Sequence, residues 1–299
     1  MTAVRPESDR LIHRAAEVPS TPTLIHPTAI VEDGAALAED VEIGPYCVIG
    51  SRAKIAAGCR LYAHVVVDGN TTIGARTTVF PFATLGTPPQ DKKLEPGYVG
   101  TLVVGSDNQI RENVTIHGGT HLGRGQTRVG DHNMLLAGCH IGHDALVGDH
   151  TVFTNGAMAA GHSVIHDHAI LGAMVGVHQF ARVGEFAMIG AGAMLSHDAP
   201  PYALVQGDRA RLVGVNKIGL TRSGFDTDDI AVIKRVYRLM FWRGGVLTKR
   251  LEEARSHAAE QSERARIHAE RIIDFVAEST RGICATRGRN SKGDDSGIN

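Results

Sequence analysis

Aliphatic residues recur at every sixth position from Ile25 through Val31, Leu37, Ile43, Ile49, Ile55, Leu61, Val67, Ile73 and Val79 to Leu85. The phase breaks across residues 86–103, resumes at Val104, Ile110 and Ile116, breaks again across 117–128, and then holds from Val129 to Leu195. Four residues after most of these positions comes a small or β-branched side chain, as at Ala29, Cys47, Ala53, Cys59, Ala145, Thr151, Ala157, Ser163 and Ala169. Glycine often follows the aliphatic residue directly, as in Ile43-Gly44 and Val147-Gly148. A six-residue period fits neither a helical face nor simple strand alternation. It predicts a mainly β solenoid of hexapeptides, with short strands, tight turns and an interior of stacked aliphatic side chains.

The two phase breaks read as loops leaving the solenoid, at about residues 86–102 and 118–128, both rich in glycine. Loops on a rigid scaffold are where binding tends to sit. After Pro200-Pro201 the repeat stops. Asp226 to Asp229 offer a cap and an acidic first turn, and Ile230, Ile233, Tyr237, Met240 and Phe241 mark one face of a helix ending near Gly244-Gly245. A second helical region follows, to about Gly282. The resulting division is a polar N-terminal extension, 1–22; a solenoid, 23–205; a connecting segment with a helical domain, 206–283; and a tail, 284–299. Both ends are expected to be disordered.

Of the 299 residues, 42% are hydrophobic and 21% charged, which suits one large soluble domain plus something smaller. Lys plus Arg total 31 against 32 for Asp plus Glu, so no net field favours nucleic acid or an anionic membrane. No apolar run approaches the ~20 residues that span a bilayer, and residues 1–20 lack the apolar stretch of a secretory signal, so a cytoplasmic location is expected. Cys47, Cys59, Cys139 and Cys284 show no metal-binding spacing, and the first three fall on the small interior position of the repeat. Reduced structural thiols are the reading that fits.

The hexad pattern resembles the hexapeptide-repeat acyltransferases, whose left-handed parallel β-helix has three flat sides and takes three hexads per coil. On that scheme the hexads beginning at Ile141, Ala159 and Val177 stack on one side and carry Gly142-His143-Asp144, Gly161-His162 and His178-Gln179. Coils separated by the ~4.8 Å of hydrogen-bonded strands would let His143 and His162 meet around one small ligand. His140 is expected at the preceding corner. The other histidines, among sixteen, read as solvated turn residues.

The resemblance becomes specific in the segments from Met134 to Asp144, Ala160-Gly161-His162, Val177 to Phe180, Pro200-Pro201-Tyr202 with Gln206-Gly207, Ile25 to Ile30, Ile110 to His117 and Ser279 to Gly282. Together they are similar to the UDP-N-acetylglucosamine O-acyltransferase family, which performs the first step of lipid A synthesis. That resemblance implies transfer of an (R)-3-hydroxyacyl chain from the phosphopantetheine of acyl carrier protein to the sugar 3-hydroxyl, with no other cofactor. It implies His143 as general base, Asp144 as the carboxylate holding its tautomer, and the Gly161 N–H as oxyanion donor. His162 would contact donor or sugar; His140, His178 and Gln179 would line the sugar and acyl sites. Asp91 and Lys93 would come from a neighbouring subunit of a homotrimer.

The same carry-over gives Asn216 and Arg222 to the uridine and diphosphate, and Met188, Ala191 and Arg209 to acyl-chain length, with a medium to long chain expected. Ile218 and Ser223 depart from the acidic residue and second arginine usual in the family. Lys234, Arg235, Arg238, Arg243, Lys249 and Arg250 could face the acidic carrier protein, or form a solvated helix face. A 3-amino acceptor sugar remains open. The rival readings are a related N-acyltransferase, which carries an additional N-terminal domain; a γ-class carbonic anhydrase binding zinc through His140, His143 and His162; and a non-enzymatic solenoid.

Overall fold

The structure, a computed structural model, describes residues 22–286. The extension before it and most of the expected tail lie outside the described residues. Short parallel strands join three sheets, and consecutive strands visit the three in turn. Ile43 pairs with Leu61 and Leu61 with Val79 on the first sheet; Ile141 pairs with Ala159 and Ala159 with Val177 on the second. The fold is therefore a three-sided, left-handed parallel β-helix carrying a small α-helical C-terminal domain.

The repeat explains this geometry residue by residue. The aliphatic position points inward: Ile49, Ile73, Leu85, Ile110, Ile141 and Leu171 are all 0% exposed. The small position fits the narrow interior of the turn, where Ala53, Cys47, Cys139, Ala157 and Ser163 are equally buried. All four cysteines are free and buried. Most corners use one residue with positive φ, among them His132, Asp144, His150, His162, His168 and Phe180. Asp, Asn and His tolerate this left-handed conformation better than most side chains, which accounts for part of the histidine abundance. His132, His150 and His168 stack ring on ring along one corner at 4.8 and 4.9 Å.

Both interruptions leave at the corner between the second and third sheets. The strands beside them run longer than the phase predicts, as Thr84–Thr87, Thr101–Val104 and Gln126–Val129. The excursions therefore shrink to residues 88–100 and 118–125. A loss of six-residue phase does not end strand pairing: Leu102 still pairs with Thr71 and with Thr127.

At the C-terminal end the prism closes with an antiparallel hairpin, Ala203–Gln206 with Arg211–Val215, which straddles the expected end of the solenoid at residue 205. Helix α1 spans Lys217–Arg222 and α2 spans Thr227–Phe241, the latter capped by Asp226 accepting from the N–H groups of Asp228 and Asp229. The second helical region divides into α3, Leu247–Ala259, and α4, Glu263–Ala277, because Ser262 caps a new helix. The tail begins later than Cys284: that residue is 4% exposed, its N–H donates to the Asp198 carbonyl, and the Leu212 N–H donates to Ala285. The Tyr237 hydroxyl donates to the Pro201 carbonyl and ties α2 to the last coil.

Arg at position 141 would place a charge in an interior that offers it no partner. Ile141→Arg is expected to abolish the folded prism in circular dichroism, whereas Ile141→Val should cost only about 0.5–1.5 kcal/mol in chemical unfolding.

Candidate active site

The corner from which both loops depart also carries Asp144, His162 and Phe180, one coil apart. His143 precedes Asp144, and its Nδ1 lies 2.9 Å from Asp144 Oδ2. Asp144 is fully buried and His143 is 8% exposed. The second loop closes over the carboxylate. Thr120 Oγ1 donates to Oδ2 at 2.6 Å, and the Thr120 N–H approaches both oxygens at 3.1 and 3.2 Å. A carboxylate so placed accepts the imidazole Nδ1–H and leaves Nε2 as the free basic nitrogen.

Nε2 faces the neighbouring coil at Gly161. A Cβ there would lie 2.6 Å from His143 Nε2, so only glycine leaves room for the ring. Gly161 is buried, and among the described residues no protein acceptor takes its N–H. A free imidazole nitrogen and an unengaged donor therefore share one small space. His162 completes the wall, its ring 5.0 Å from that of His143 and stacked on Phe180 at 4.5 Å.

The electrostatics reinforce this division of roles. Burial alone would raise the Asp144 pKa, but the Thr120 hydroxyl, His143 and the Thr120 N–H outweigh it and hold the carboxyl below its ordinary value. Burial lowers the pKa of His162, with Asp144 opposing and His143 and Arg124 assisting. Asp91 of the same chain opposes this lowering, after Asp144, His143 and Arg124. Lys93 is exposed in the first loop, its N–H donating to Asp91 Oδ1 at 2.9 Å.

His140 does not sit at a corner. It lies on the strand His140–Ile141, with Nδ1 2.7 Å from Thr115 Oγ1 and its ring 4.8 Å from His117. His117, which the sequence marks only as the end of a motif, is 5% exposed, and its pKa is pushed down to about 4 by burial and then by His140 and His143. Thr120, equally unforeseen, is 2% exposed. Only the glycine-rich composition of the loop signalled that something there mattered.

The zinc trio does not form. Ligand atoms of His143, Asp144 and His162 lie within 4.8 Å of one another, but His140 is directed to Thr115 instead. Asp144 Oδ2 is already approached by three donors: the Thr120 hydroxyl, the Thr120 N–H and His143 Nδ1.

The remaining candidates are more dispersed. His178 and Gln179 are exposed one coil beyond Gly161, with His178 Nδ1 3.0 Å from the Gln179 carbonyl. Met188 lies on an outward strand position, Ala191 in the exposed turn after it, and Arg209 in the hairpin turn stacked above. Asn216 is engaged structurally: it caps α1 by accepting from Gly219 and donates to the Phe186 carbonyl at 2.9 Å. Arg222 and Ile218 are exposed on α1. Of the basic residues on the helices, Arg243 pairs with Glu253 and Arg250 donates to the Met240 carbonyl. Lys234, Arg235 and Arg238 stay exposed.

Two outcomes follow from this geometry. Gly161→Ala should push the His143 ring aside by several tenths of an ångström or more and lower turnover by about 10²-fold, a displacement a crystal structure of the variant would show. The unfolded chain protonates His117 near its ordinary ~6.5, above the folded value, so stability should fall as pH drops from ~6.5 toward ~4. In His117→Gln, the fall in urea midpoint between pH 7 and 4.5 should be smaller.

Residues 198–284 match the family model described as UDP N-acetylglucosamine O-acyltransferase, domain 2. The acyl-(acyl-carrier-protein)-UDP-N-acetylglucosamine O-acyltransferase of Thiobacillus denitrificans is 44% identical over 259 residues, covering 87% of this chain and 98% of that one. The enzyme of the same name from Halorhodospira halophila is 43% identical over 264 residues, covering 87% and 99%. The solved UDP-N-acetylglucosamine acyltransferase of Francisella novicida superposes with a TM-score of 0.83 at 37% identity, covering 88% of this chain and 94% of that one. With identity of this order over nearly the whole length of the relatives, the chain belongs to the UDP-N-acetylglucosamine O-acyltransferase family.

Proposed function

We propose that this protein transfers an (R)-3-hydroxyacyl chain from acyl carrier protein to the 3-hydroxyl of UDP-N-acetylglucosamine, the first step of lipid A synthesis, as a cytoplasmic homotrimer. The observation that carries the chemistry is the chain Thr120, Asp144, His143, with Nε2 directed at Gly161. A sugar hydroxyl is a poor nucleophile until a positioned base takes its proton. His143 Nε2 takes that proton as the oxygen attacks the thioester carbonyl. The carbonyl oxygen becomes an oxyanion, to which the Gly161 N–H donates, a contribution of about 10²–10³ in rate. Collapse breaks the C–S bond, and the imidazolium returns the proton to the departing phosphopantetheine thiolate. Asp144 stabilises the imidazolium without taking the proton itself. No metal or redox group enters these steps.

Other features support the reading. The exposed Arg222 guanidinium suits a diphosphate. The side chain of Asn216 has one N–H left for the nucleotide after its structural bonds. The turns holding Ala191 and Arg209 lie about three coils beyond the His143 coil, ~14 Å at ~4.8 Å each, which fits a medium to long acyl chain. Exposed apolar residues along the prism, Ile30 at 60%, Tyr46 at 58% and Phe82 at 54%, support burial between subunits. Lys234, Arg235 and Arg238 offer an acidic carrier protein a cationic face. Among the described residues no helix is long and apolar enough to cross a membrane.

Mass spectrometry of the protein incubated with UDP-N-acetylglucosamine and 3-hydroxyacyl carrier proteins of several lengths should reveal one mono-acylated sugar nucleotide. Acylation of the 3-amino sugar nucleotide alone would reassign the acceptor, and no product with either would refute the proposal. His143→Ala should lose about 10²–10⁴-fold in turnover while circular dichroism is unchanged.

A further inference from the structure

We infer that Thr120 is a positioning residue for the base, and that through it the first loop is mechanically connected to the His143 imidazole. The inference rests on the reading of His143 as base. Apart from His143, four groups hold Asp144: the Thr120 hydroxyl, the Thr120 N–H, Thr127 and, at the Asp144 carbonyl, Arg124. The hydroxyl donates at 2.6 Å and the N–H at 3.1 Å to the same oxygen, Oδ2, that receives the imidazole. The Asp144 N–H donates to Thr127 Oγ1 at 2.8 Å, and this contact, like that of Arg124, fixes the backbone rather than the carboxylate. Rotation of the carboxylate is therefore governed by Thr120.

The loop holding Thr120 is shaped for this contact. The Thr120 carbonyl accepts from the N–H groups of Gly123 and Gly125, which folds residues 120–125 into a closed turn. A Cβ on Gly123 would lie 2.4 Å from the Asp144 carboxylate, so the turn rests against the group it orients. Arg124 Nη1 reaches the Asp144 carbonyl at 2.7 Å.

The first loop packs on this turn from outside. Glu95 pairs with His121 Nε2 at 3.6 Å, the Tyr98 ring lies 5.2 Å from the His121 ring, and the Thr101 N–H donates to the Gly125 carbonyl. Asp91 and Lys93 lie in the same excursion as Glu95 and Tyr98. A ligand seated against the first loop thus presses on His121, the direct neighbour of Thr120. Glu95 is exposed and His121 half-buried, but Thr120, Asp144 and His143 are buried, and a buried hydrogen-bonded chain transmits small displacements because its members have little room to relax.

Thr120→Val removes the hydroxyl donor at nearly constant volume; Thr120→Ser keeps it. In Thr120→Val, kcat should fall by about 10–10²-fold with the KM for UDP-N-acetylglucosamine within about threefold, and Thr120→Ser should restore kcat to within about threefold of wild type. A readout independent of substrate is the Nδ1–H resonance of His143 in ¹H–¹⁵N spectra of histidine-labelled protein. It should move upfield and exchange faster in Thr120→Val and stay in place in Thr120→Ser. An unmoved resonance, or a Thr120→Val variant with wild-type kcat, overturns the inference. A resonance that moves in a protein that acylates neither sugar nucleotide upholds the positioning role and refutes the proposed reaction instead.

Discussion

Everything in this molecule depends on the hydrogen bonds that tie each coil to the next. The N–H of His140 donates to Ala157, that of Met158 to Val175 and that of Gly176 to Ala193, at 2.8–3.0 Å, and the ladder recurs on all three sides. A parallel ladder fixes the rise per coil and forbids slippage, because a shift of one residue would turn every buried aliphatic side chain outward. The interior is too narrow for more than one large side chain per strand, which is why the small position of each hexad is as restricted as the aliphatic one.

That constraint converts a linear repeat into a chemical site. Residues far apart in sequence become neighbours by register alone, so His143, Gly161 and Gln179 form one column and Asp144, His162 and Phe180 the next. A turn residue in the left-handed conformation directs its side chain away from the prism, and the position before Asp144 carries His143. Both insertions leave at the same corner, so the scaffold needs no further element to cover it. The second loop buries Asp144 and supplies its donors; the first packs against the second through Glu95 and Tyr98. A carboxylate at 0% exposure would be costly without partners, and Thr120 with His143 provides them.

How much of this was legible follows from which interactions are periodic. The three sheets, the inward aliphatic stack and the adjacent columns that hold His143 with Gly161 and Asp144 with His162 could all be read from spacing once three hexads per coil were assumed. The loops could be located but not bounded, because pairing at Leu102 and Thr127 persists after the phase is lost. The division of the last helical region at Ser262 was missed because the composition on either side is alike. His140 was assigned to a corner, although its place immediately before Ile141 makes it a strand residue with an outward side chain. Thr120 carried no periodic signal at all: its role arises from contacts across a loop whose path the sequence does not determine, whereas His117 ends the strand that pairs with His140–Ile141 and could have been placed beside His140 by register. Asn216 was read as a ligand to the nucleotide, and the structure adds a capping role that a sequence position before a short helix could have suggested.

The account stands or falls on where the acceptor hydroxyl sits. A crystal structure of the protein with UDP-N-acetylglucosamine measures this directly. The sugar 3-oxygen should lie within ~2.6–3.2 Å of His143 Nε2, on the side facing the Gly161 N–H. A sugar bound with that oxygen beyond reach of Nε2, or with another side chain closer to it, would contradict the assignment of His143 as the base.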